Sequence, residues 1–169
     1  MPTDSREGPP KFGGERETLR AFLDYHRATL AMKCEGLTDE ELRQRSMPPS
    51  SPSLLGLVRH LAEVERAWFR RVFDDNAAPM LWSEQVDFQA AYDARTSTGA
   101  EAFAAWEAEV EFSRRIEREA ASLDLAGYQP RWGEAVSLRM VLIHVLLEYA
   151  RHNGHADFLR EGVDGVVGA

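Results

Sequence analysis

Apolar residues recur every three or four positions along four long segments of this sequence, the spacing that places them on one face of an α-helix. The segments extend over about 15–35, 53–74, 98–122 and 137–161. No stretch of the chain convincingly predicts a β-strand. The pattern therefore predicts an all-α protein, a four-helix bundle whose helices bury their apolar faces against one another.

Residues with special roles at helix ends mark several boundaries of these segments. Thr38 and Glu41 have the spacing of a capping box, in which a hydroxyl and a carboxylate accept hydrogen bonds from free backbone N–H groups. A short helix is expected to run from there to about residue 45. Ser53 and Ser137 are expected to cap the second and fourth long helices, and Gly162 is expected to end the fourth.

The longest connection, residues 74–97, separates helices two and three, and only 87–95 has a helical pattern of its own. A connection of this length is uncommon inside a compact domain unless it crosses over the bundle or lines a site. A second loop, after helix three, holds Gly127, Pro130 and Gly133. The chain is predicted to be a flexible tail at 1–14 followed by a single domain at 15–165.

Charge and hydropathy exclude two classes of partner. The formal net charge of −8 argues against a protein that neutralises nucleic-acid phosphates. Apolar runs are too short to span a bilayer, and the polar N-terminal residues do not resemble a signal peptide. The single cysteine, Cys34, has no internal disulfide partner and is expected to be an inert, packed thiol. We therefore expect a cytoplasmic protein with no nucleic-acid or membrane partner.

The fourth helix carries an unusual density of metal-binding residue types among Val, Leu and Ala. It contains His144, Glu148, His152 and His155 at intervals of four, four and three residues. Because Glu148 and His152 are one turn apart and about 40° apart around the helix, both can point at one ion. Their neighbours on the helical wheel are apolar, so the carboxylate is expected to face the core, where it needs a cation or a proton.

Helix two offers a third ligand. His60 lies at the edge of its apolar stripe, between Leu57 and Val64, and is expected to face inward. Two imidazoles and a carboxylate from two packed helices would leave coordination positions open for water or substrate, as in catalytic zinc sites. The same ligands suit nickel, manganese or iron, so the spacing predicts a divalent metal, zinc first, on His60, Glu148 and His152.

Simpler interpretations of these residues stay open at the level of sequence. His60 could be a core histidine hydrogen-bonded to a backbone carbonyl. Glu148 could form an ordinary ion pair with an arginine, for which the candidates are Arg59, Arg139 and Arg151.

Three further histidines are assigned to the surroundings of the ion rather than to the ion itself. His26 falls within the apolar stripe of helix one and is expected to be a core residue that could reach the same cavity. His144 lies two turns from His152 and is expected to be a neighbour of the site. His155 is expected to contact one of the metal-binding side chains or to line the pocket. It is also the alternative candidate for a metal-binding residue.

Two stretches of the chain resemble the DinB-like superfamily: LVRHLAEVERAWF at 57–69, and EYARHNGH at 148–155 with LRE at 159–161. The segment 16–27 and the GLTD turn at 36–39 also fit, so the resemblance covers about 15–165. Within the superfamily, the chain most resembles an actinobacterial branch. The resemblance implies a four-helix bundle with a long crossover after helix two and a metal held by His60, Glu148 and His152. It also implies a homodimer, because members of the superfamily often form one.

Glutamate at position 148 is a departure, because many members of the superfamily have a histidine there. In this respect the chain resembles the metal domain of mycothiol-dependent maleylpyruvate isomerase. That enzyme has a further C-terminal domain, which this sequence of 169 residues lacks, so isomerisation of maleylpyruvate is not expected. The superfamily also includes S-transferases that use mycothiol or bacillithiol, which makes a small thiol the expected co-substrate.

Three functional hypotheses follow. In the leading one, the ion activates a thiol of the mycothiol kind as a metal-bound thiolate for transfer to a small electrophile, and His60, Glu148 and His152 only hold the ion. A metallohydrolase would use the same open position for hydroxide. In the third, a non-catalytic stress or ligand-binding protein, the ion only joins helices two and four. A fourth protein ligand would favour this last role, whereas an open position beside a cavity would favour catalysis.

Overall fold

Helices make up most of residues 6–168, the part of the chain that the computed structural model describes. The helices are α1 (Glu15–Cys34), α2 (Asp39–Arg43), α3 (Leu54–Glu65), α4 (Arg71–Phe73), α5 (Gly99–Glu119) and α6 (Leu138–Asp164). A π-helical turn, Arg66–Arg70, joins α3 to α4, and a 3-10 helix, Phe88–Tyr92, lies in the long connection. The prediction of a mainly α-helical protein is confirmed.

The helices begin at the predicted caps. Thr38 accepts a hydrogen bond from the backbone N–H of Glu41, whose carboxylate accepts one from the N–H of Thr38, so the capping box is present. The hydroxyls of Ser53 and Ser137 each accept a hydrogen bond from the N–H three residues further on. These contacts satisfy backbone donors that have no partner within the first turn of a helix.

The predicted end of α6 at Gly162 was wrong. The helix continues to Asp164, and Gly165, with φ of 78°, provides the left-handed C-cap. Gly162 has a different role, because a Cβ atom there would lie 2.9 Å from the backbone oxygen of Ser46. The Ser46 hydroxyl also donates to the Leu159 carbonyl oxygen at 2.7 Å, which ties this loop to α6.

The long helices pack against one another around a continuous apolar core. α1 lies against α6, and α3 lies against both α5 and α6. α3 is buried along most of its length, and Leu54, Leu57 and Leu61 are inaccessible to solvent. Among the apolar residues that recur at helical spacing along α1, Phe22 is an exception, because it is 42% exposed. The contact between α3 and α6 brings together the two helices that carry the predicted metal ligands.

The connection between α4 and α5 packs its 3-10 helix against α3. Gly56 permits this contact, because a Cβ atom at that position would lie 2.9 Å from the backbone oxygen of Tyr92. The connection therefore lines the region around His60, one of the two outcomes that its length predicts.

The sequence analysis predicted no β-strands, and this prediction was wrong for the second loop. β1 (Ala126–Gln129) and β2 (Glu134–Ser137) pair as an antiparallel hairpin. Gly133, with φ of 71°, lies in the turn, and Gly127 allows the hairpin to approach Val72 and Phe73 at the end of α4. The hairpin thereby holds its turn, with Arg131 and Trp132, beside the region that His60 and Glu148 occupy.

Within residues 6–168, no helix is both long and apolar enough to cross a bilayer. The predicted flexible tail, 1–14, lies partly outside the described residues, since the first five are not among them. Arg6 contacts α1, where its guanidinium donates to the Thr29 hydroxyl at 2.7 Å and lies over the ring of Tyr25. Cys34 is buried at the end of α1, in agreement with a packed thiol.

Candidate metal centre

The structure brings the three predicted ligands together. His60 comes from α3, and Glu148 and His152 come from α6. Glu148 Oε2 lies 3.4 Å from His152 Nε2 and 3.8 Å from His60 Nε2. One ligand-type atom from each side chain lies within 4.8 Å of the other two. Because ligand atoms about 2.1 Å from a tetrahedral ion are about 3.4 Å apart, these side chains could hold one metal ion.

His60 gives the clearest test of that fit. Its side chain is 12% exposed, and neither ring nitrogen has a hydrogen-bond partner among the described residues. A core histidine normally satisfies at least one ring nitrogen, because a buried polar atom without a partner costs about 1–3 kcal/mol. The contacts therefore disagree with the simpler interpretation of His60, and its Nε2 lies 3.8 Å from Glu148 Oε2.

The electrostatics favour the metal-binding forms of Glu148 and His60. The neighbouring imidazoles of His152 and His60 lower the pKa of Glu148, so its carboxylate stays ionised. Burial lowers the pKa of His60, which favours the neutral ring. An ionised carboxylate and a neutral imidazole are the states in which these residues act as ligands.

The alternative of an ordinary arginine pair for Glu148 finds no support in the described residues. Arg59 donates to the Ala91 carbonyl and stacks on Trp82, and Arg139 pairs with carboxylates at the start of α1 and before β1. Arg151 is exposed, lines the same cavity and forms no ion pair within 4.0 Å in residues 6–168. The charged or chargeable groups nearest to the Glu148 carboxylate are histidines.

The other three histidines lie at different distances from this group. His144 lines the cavity, with Nε2 3.7 Å from Glu148 Oε1 and its ring against Trp68. His155 Nδ1 is 3.3 Å from His152 Nδ1, so it can orient that ring from behind. His26 does not line the cavity; its carbonyl oxygen accepts a 2.9 Å hydrogen bond from Asn153.

A cavity of about 440 Å³ opens beside the three side chains. Tyr92 forms one wall and stacks on His60, with ring centroids 4.6 Å apart and planes 16° apart. Burial raises the pKa of Tyr92 to about 12, so its hydroxyl remains a hydrogen-bond donor near neutral pH. Trp68 and Trp132 form another wall, with centroids 4.9 Å apart. The site thus combines polar ligand atoms with an aromatic enclosure.

Sequence reasoning missed the residues that the connection and the hairpin bring to the cavity. Tyr92 lies in a segment whose helical pattern is weak, and Arg131 and Trp132 lie in a loop read as irregular. For Arg131 and Trp132, the sequence did contain a pattern that predicts their local structure. Short runs with Tyr128 and Val136 flank a four-residue turn that contains proline and glycine, which is a hairpin pattern.

A buried polar network lies behind the site and was also missed. The Tyr149 hydroxyl donates to Glu65 Oε1 at 2.9 Å, and Arg27 binds both oxygens of Glu65, at 2.8 and 2.9 Å. The Trp106 indole donates to the Tyr149 oxygen at 2.6 Å. The network joins α1, α3, α5 and α6, and Tyr149 directly follows Glu148, so it fixes α6 against α3 next to a candidate ligand.

Comparison with known proteins identifies a family and a solved structure with a similar fold. The model of the mycothiol-S-transferase family matches residues 18–165. A crystal structure of a conserved protein from Enterococcus faecalis is similar with a TM-score of 0.70 and 14% sequence identity, over 92% of this chain and 100% of that chain. At this identity the likeness concerns the fold alone. No curated protein matches the chain.

Proposed function

The chain belongs to the mycothiol-S-transferase family, in agreement with its resemblance to the DinB-like superfamily, and on that premise we propose that it is a metal-dependent thiol S-transferase for small electrophiles. The observation that carries the proposal is the convergence of His60, Glu148 and His152 beside a cavity large enough for small molecules. In this proposal His60, Glu148 and His152 would hold the ion, since His60 Nε2, His152 Nε2 and Glu148 Oε2 are the atoms that lie close together.

When bound, the ion would supply a Lewis acid that lowers the pKa of an incoming thiol. The chain's own residues prepare the place. Tyr92 holds the ring of His60 by stacking, and His155 contacts the far nitrogen of His152, which limits the rotation of both ligands. Trp68 and Trp132 shield one side of the cavity from water.

The surroundings of the three ligands favour catalysis over a purely structural ion. His155 contacts His152 Nδ1, and His26 is absent from the cavity lining. His144 Nε2 lies 3.7 Å from Glu148 Oε1 but is not part of the group whose ligand atoms lie within 4.8 Å of one another. The side of the group that faces the cavity is left to small molecules. A closed tetrahedral set of four protein ligands would instead be typical of a structural site.

Several finer features belong to the proposal. Zinc is the first candidate ion, with nickel, manganese and iron as alternatives, because a set of nitrogen and oxygen ligands does not select among them. Mycothiol is the first candidate thiol. The helices are proposed to form a four-helix bundle, which the packing of α1 on α6 and of α3 on α5 and α6 supports. The protein is proposed to act as a cytoplasmic homodimer.

The test is conjugation of mycothiol to monochlorobimane by the metal-loaded protein. Wild type should accelerate the reaction, and His60→Ala should lose the acceleration together with the metal. His26→Ala is the matched control, because His26 is a histidine outside the cavity lining, and it should retain activity. Equal rates for wild type and His60→Ala with several thiols would refute the transferase. Metal-dependent ester hydrolysis without thiol transfer would favour a metallohydrolase instead.

A further inference from the structure

A second, smaller cavity adjoins the candidate metal centre. Its volume is about 200 Å³, and it shares Trp68, Phe88 and Arg131 with the larger cavity that contains His60 and Glu148. A molecule in the smaller cavity therefore lies next to the space in front of the three candidate ligands.

The shape and lining of the smaller cavity suit an aromatic ring. Trp68 and Phe88 supply aromatic surface, and Val86 and Pro130 complete the apolar part of the lining. A cavity of about 150 Å³ is sufficient for benzene, so about 200 Å³ accommodates one substituted ring. Contacts between a flat ring and these side chains would bury apolar area with few rotatable bonds to fix.

Two arginines without carboxylate partners line the same cavity. The Arg71 guanidinium contacts the sulfur of Met80 at 3.5 Å, and its buried Nε has no hydrogen-bond partner. The Arg131 guanidinium lies over the ring of Phe88, 4.9 Å from the centroid. Within residues 6–168, neither has an ion-pair partner within 4.0 Å, and the cavity lining contains no Asp or Glu. At longer range Arg71 interacts with the buried carboxylate of Glu63, which lies outside this lining.

Several arginines on the helices pair with acids, among them Arg27, Arg66, Arg70, Arg114, Arg118, Arg139 and Arg160. Arg71 and Arg131 instead place two fixed positive charges at an apolar cavity. The guanidinium group matches a carboxylate in shape and can donate two parallel hydrogen bonds to it.

From these contacts we infer that the smaller cavity binds an aromatic carboxylate. The ring packs against the aromatic surface of Trp68 and Phe88, and Arg71 and Arg131 supply the positive charge for the carboxylate. The inference rests on the proposed function in one respect, because it assigns this ligand as the electrophile. As an electrophile, the ligand would be an aromatic carboxylate with a halogen on an electron-poor ring. In the transfer, the sulfur–carbon bond forms at the carbon that carries the halogen, the carbon–halogen bond breaks, halide departs and the thiol proton passes to solvent.

Binding can be measured without turnover. We would titrate the chelator-treated protein with dinitrobenzoate and with neutral dinitrobenzene in a calorimeter. Wild type should bind the anion about tenfold more tightly. Arg131→Gln and Arg71→Gln should each weaken anion binding about fivefold without affecting the neutral ring, and Arg131→Lys should restore part of the preference. Arg20→Gln, an exposed arginine on α1 outside this lining, is the control and should bind as wild type does.

Two results would overturn the inference: equal affinity for anion and neutral ring, or a larger loss from Arg151→Gln than from Arg131→Gln. The second would place the anion in the larger cavity, which Arg151 lines. Transfer assays with chlorodinitrobenzene and chlorodinitrobenzoate separate this inference from the proposed function. Transfer to both at equal kcat/KM contradicts the aromatic-carboxylate subsite alone. Selective binding of dinitrobenzoate without any thiol transfer supports the subsite and contradicts the transferase.

Discussion

The Tyr149 hydroxyl donates a 2.9 Å hydrogen bond to Glu65 Oε1, which connects α6 to α3 at the residue next to the candidate ligand Glu148. Arg27 neutralises the same carboxylate from α1. All three side chains are nearly inaccessible to solvent. A complete polar network of this kind can fix the relative position of two helices more specifically than apolar packing does.

Removing Glu65 should therefore destabilise the fold strongly. Glu65→Ala leaves the guanidinium of Arg27 buried, with only the half-exposed Asp24 as a partner, and should lower the free energy of unfolding by about 3–5 kcal/mol. Urea denaturation measures the change. The matched control is Glu111→Ala, which breaks an exposed, solvent-screened pair with Arg118 and should change the free energy of unfolding far less. Similar costs for the two variants would show that the buried network does not stabilise the helix pair.

Glu148→Leu separates a metal ligand from a structural carboxylate. If Glu148 is a ligand, the variant should lose metal affinity, and its melting temperature should not respond to added Zn²⁺, Ni²⁺ or Mn²⁺. Without metal it should be at least as stable as wild type, because a half-buried charge has been replaced by an apolar group of similar size. Thermal melts with chelator and with each ion test this. A variant that still binds one equivalent of metal would remove Glu148 from the site.

Cys34 should not react with thiol reagents in the folded protein. Burial raises the pKa of its thiol to about 12, so about one molecule in ten thousand carries the thiolate at pH 8. Labelling with iodoacetamide should be slow in buffer and fast in urea. Because the unfolded chain ionises this thiol near pH 8.5–9, the free energy of unfolding should also fall as pH rises from about 9 to 12. Rapid labelling of the folded protein would mean that Cys34 is accessible and could compete with an added thiol in transfer assays.

The outer face of α6 bears on the proposed homodimer. Ile143, Leu147 and Phe158 are 41%, 60% and 62% exposed and lie within about 60° of one another around the helix. Gly154, on the same face, has no neighbouring atoms within 4 Å of its Cβ position. Leu147→Arg should convert a dimer into a monomer in light scattering, whereas Val167→Arg, at an exposed position beyond α6, should not. A monomeric wild type at high concentration would contradict the homodimer.

Local signals made most of the fold predictable. Thr38, Ser53 and Ser137 determine helix starts through hydrogen bonds to residues three positions away, so the sequence contains the whole interaction. The pair Glu148 and His152 is local in the same sense, because one helical turn separates them. His60 could be added because its place on the apolar stripe of α3 indicated which way it faces.

The parts that failed depend on contacts between distant segments. Tyr92 reaches His60 because the connection packs closely over Gly56, which its weak helical pattern does not indicate. Trp132 reaches the cavity only because the hairpin rests on α4. Gly162 resembles a helix end, yet it is a site of close approach to Ser46. Each requires knowledge of a neighbour far away in the sequence.

The most direct test of the central claim is the metal content of the protein, purified without added metal from cells grown in metal-replete medium, by inductively coupled plasma mass spectrometry. Wild type and His26→Ala should each contain about one equivalent of a divalent transition metal, and His60→Ala and His152→Ala should contain almost none. Circular dichroism of all four proteins should show that each is folded. A folded wild type without metal that also fails to take up Zn²⁺, Ni²⁺, Mn²⁺ or Fe²⁺, or a His60→Ala variant that retains its equivalent, would contradict the account.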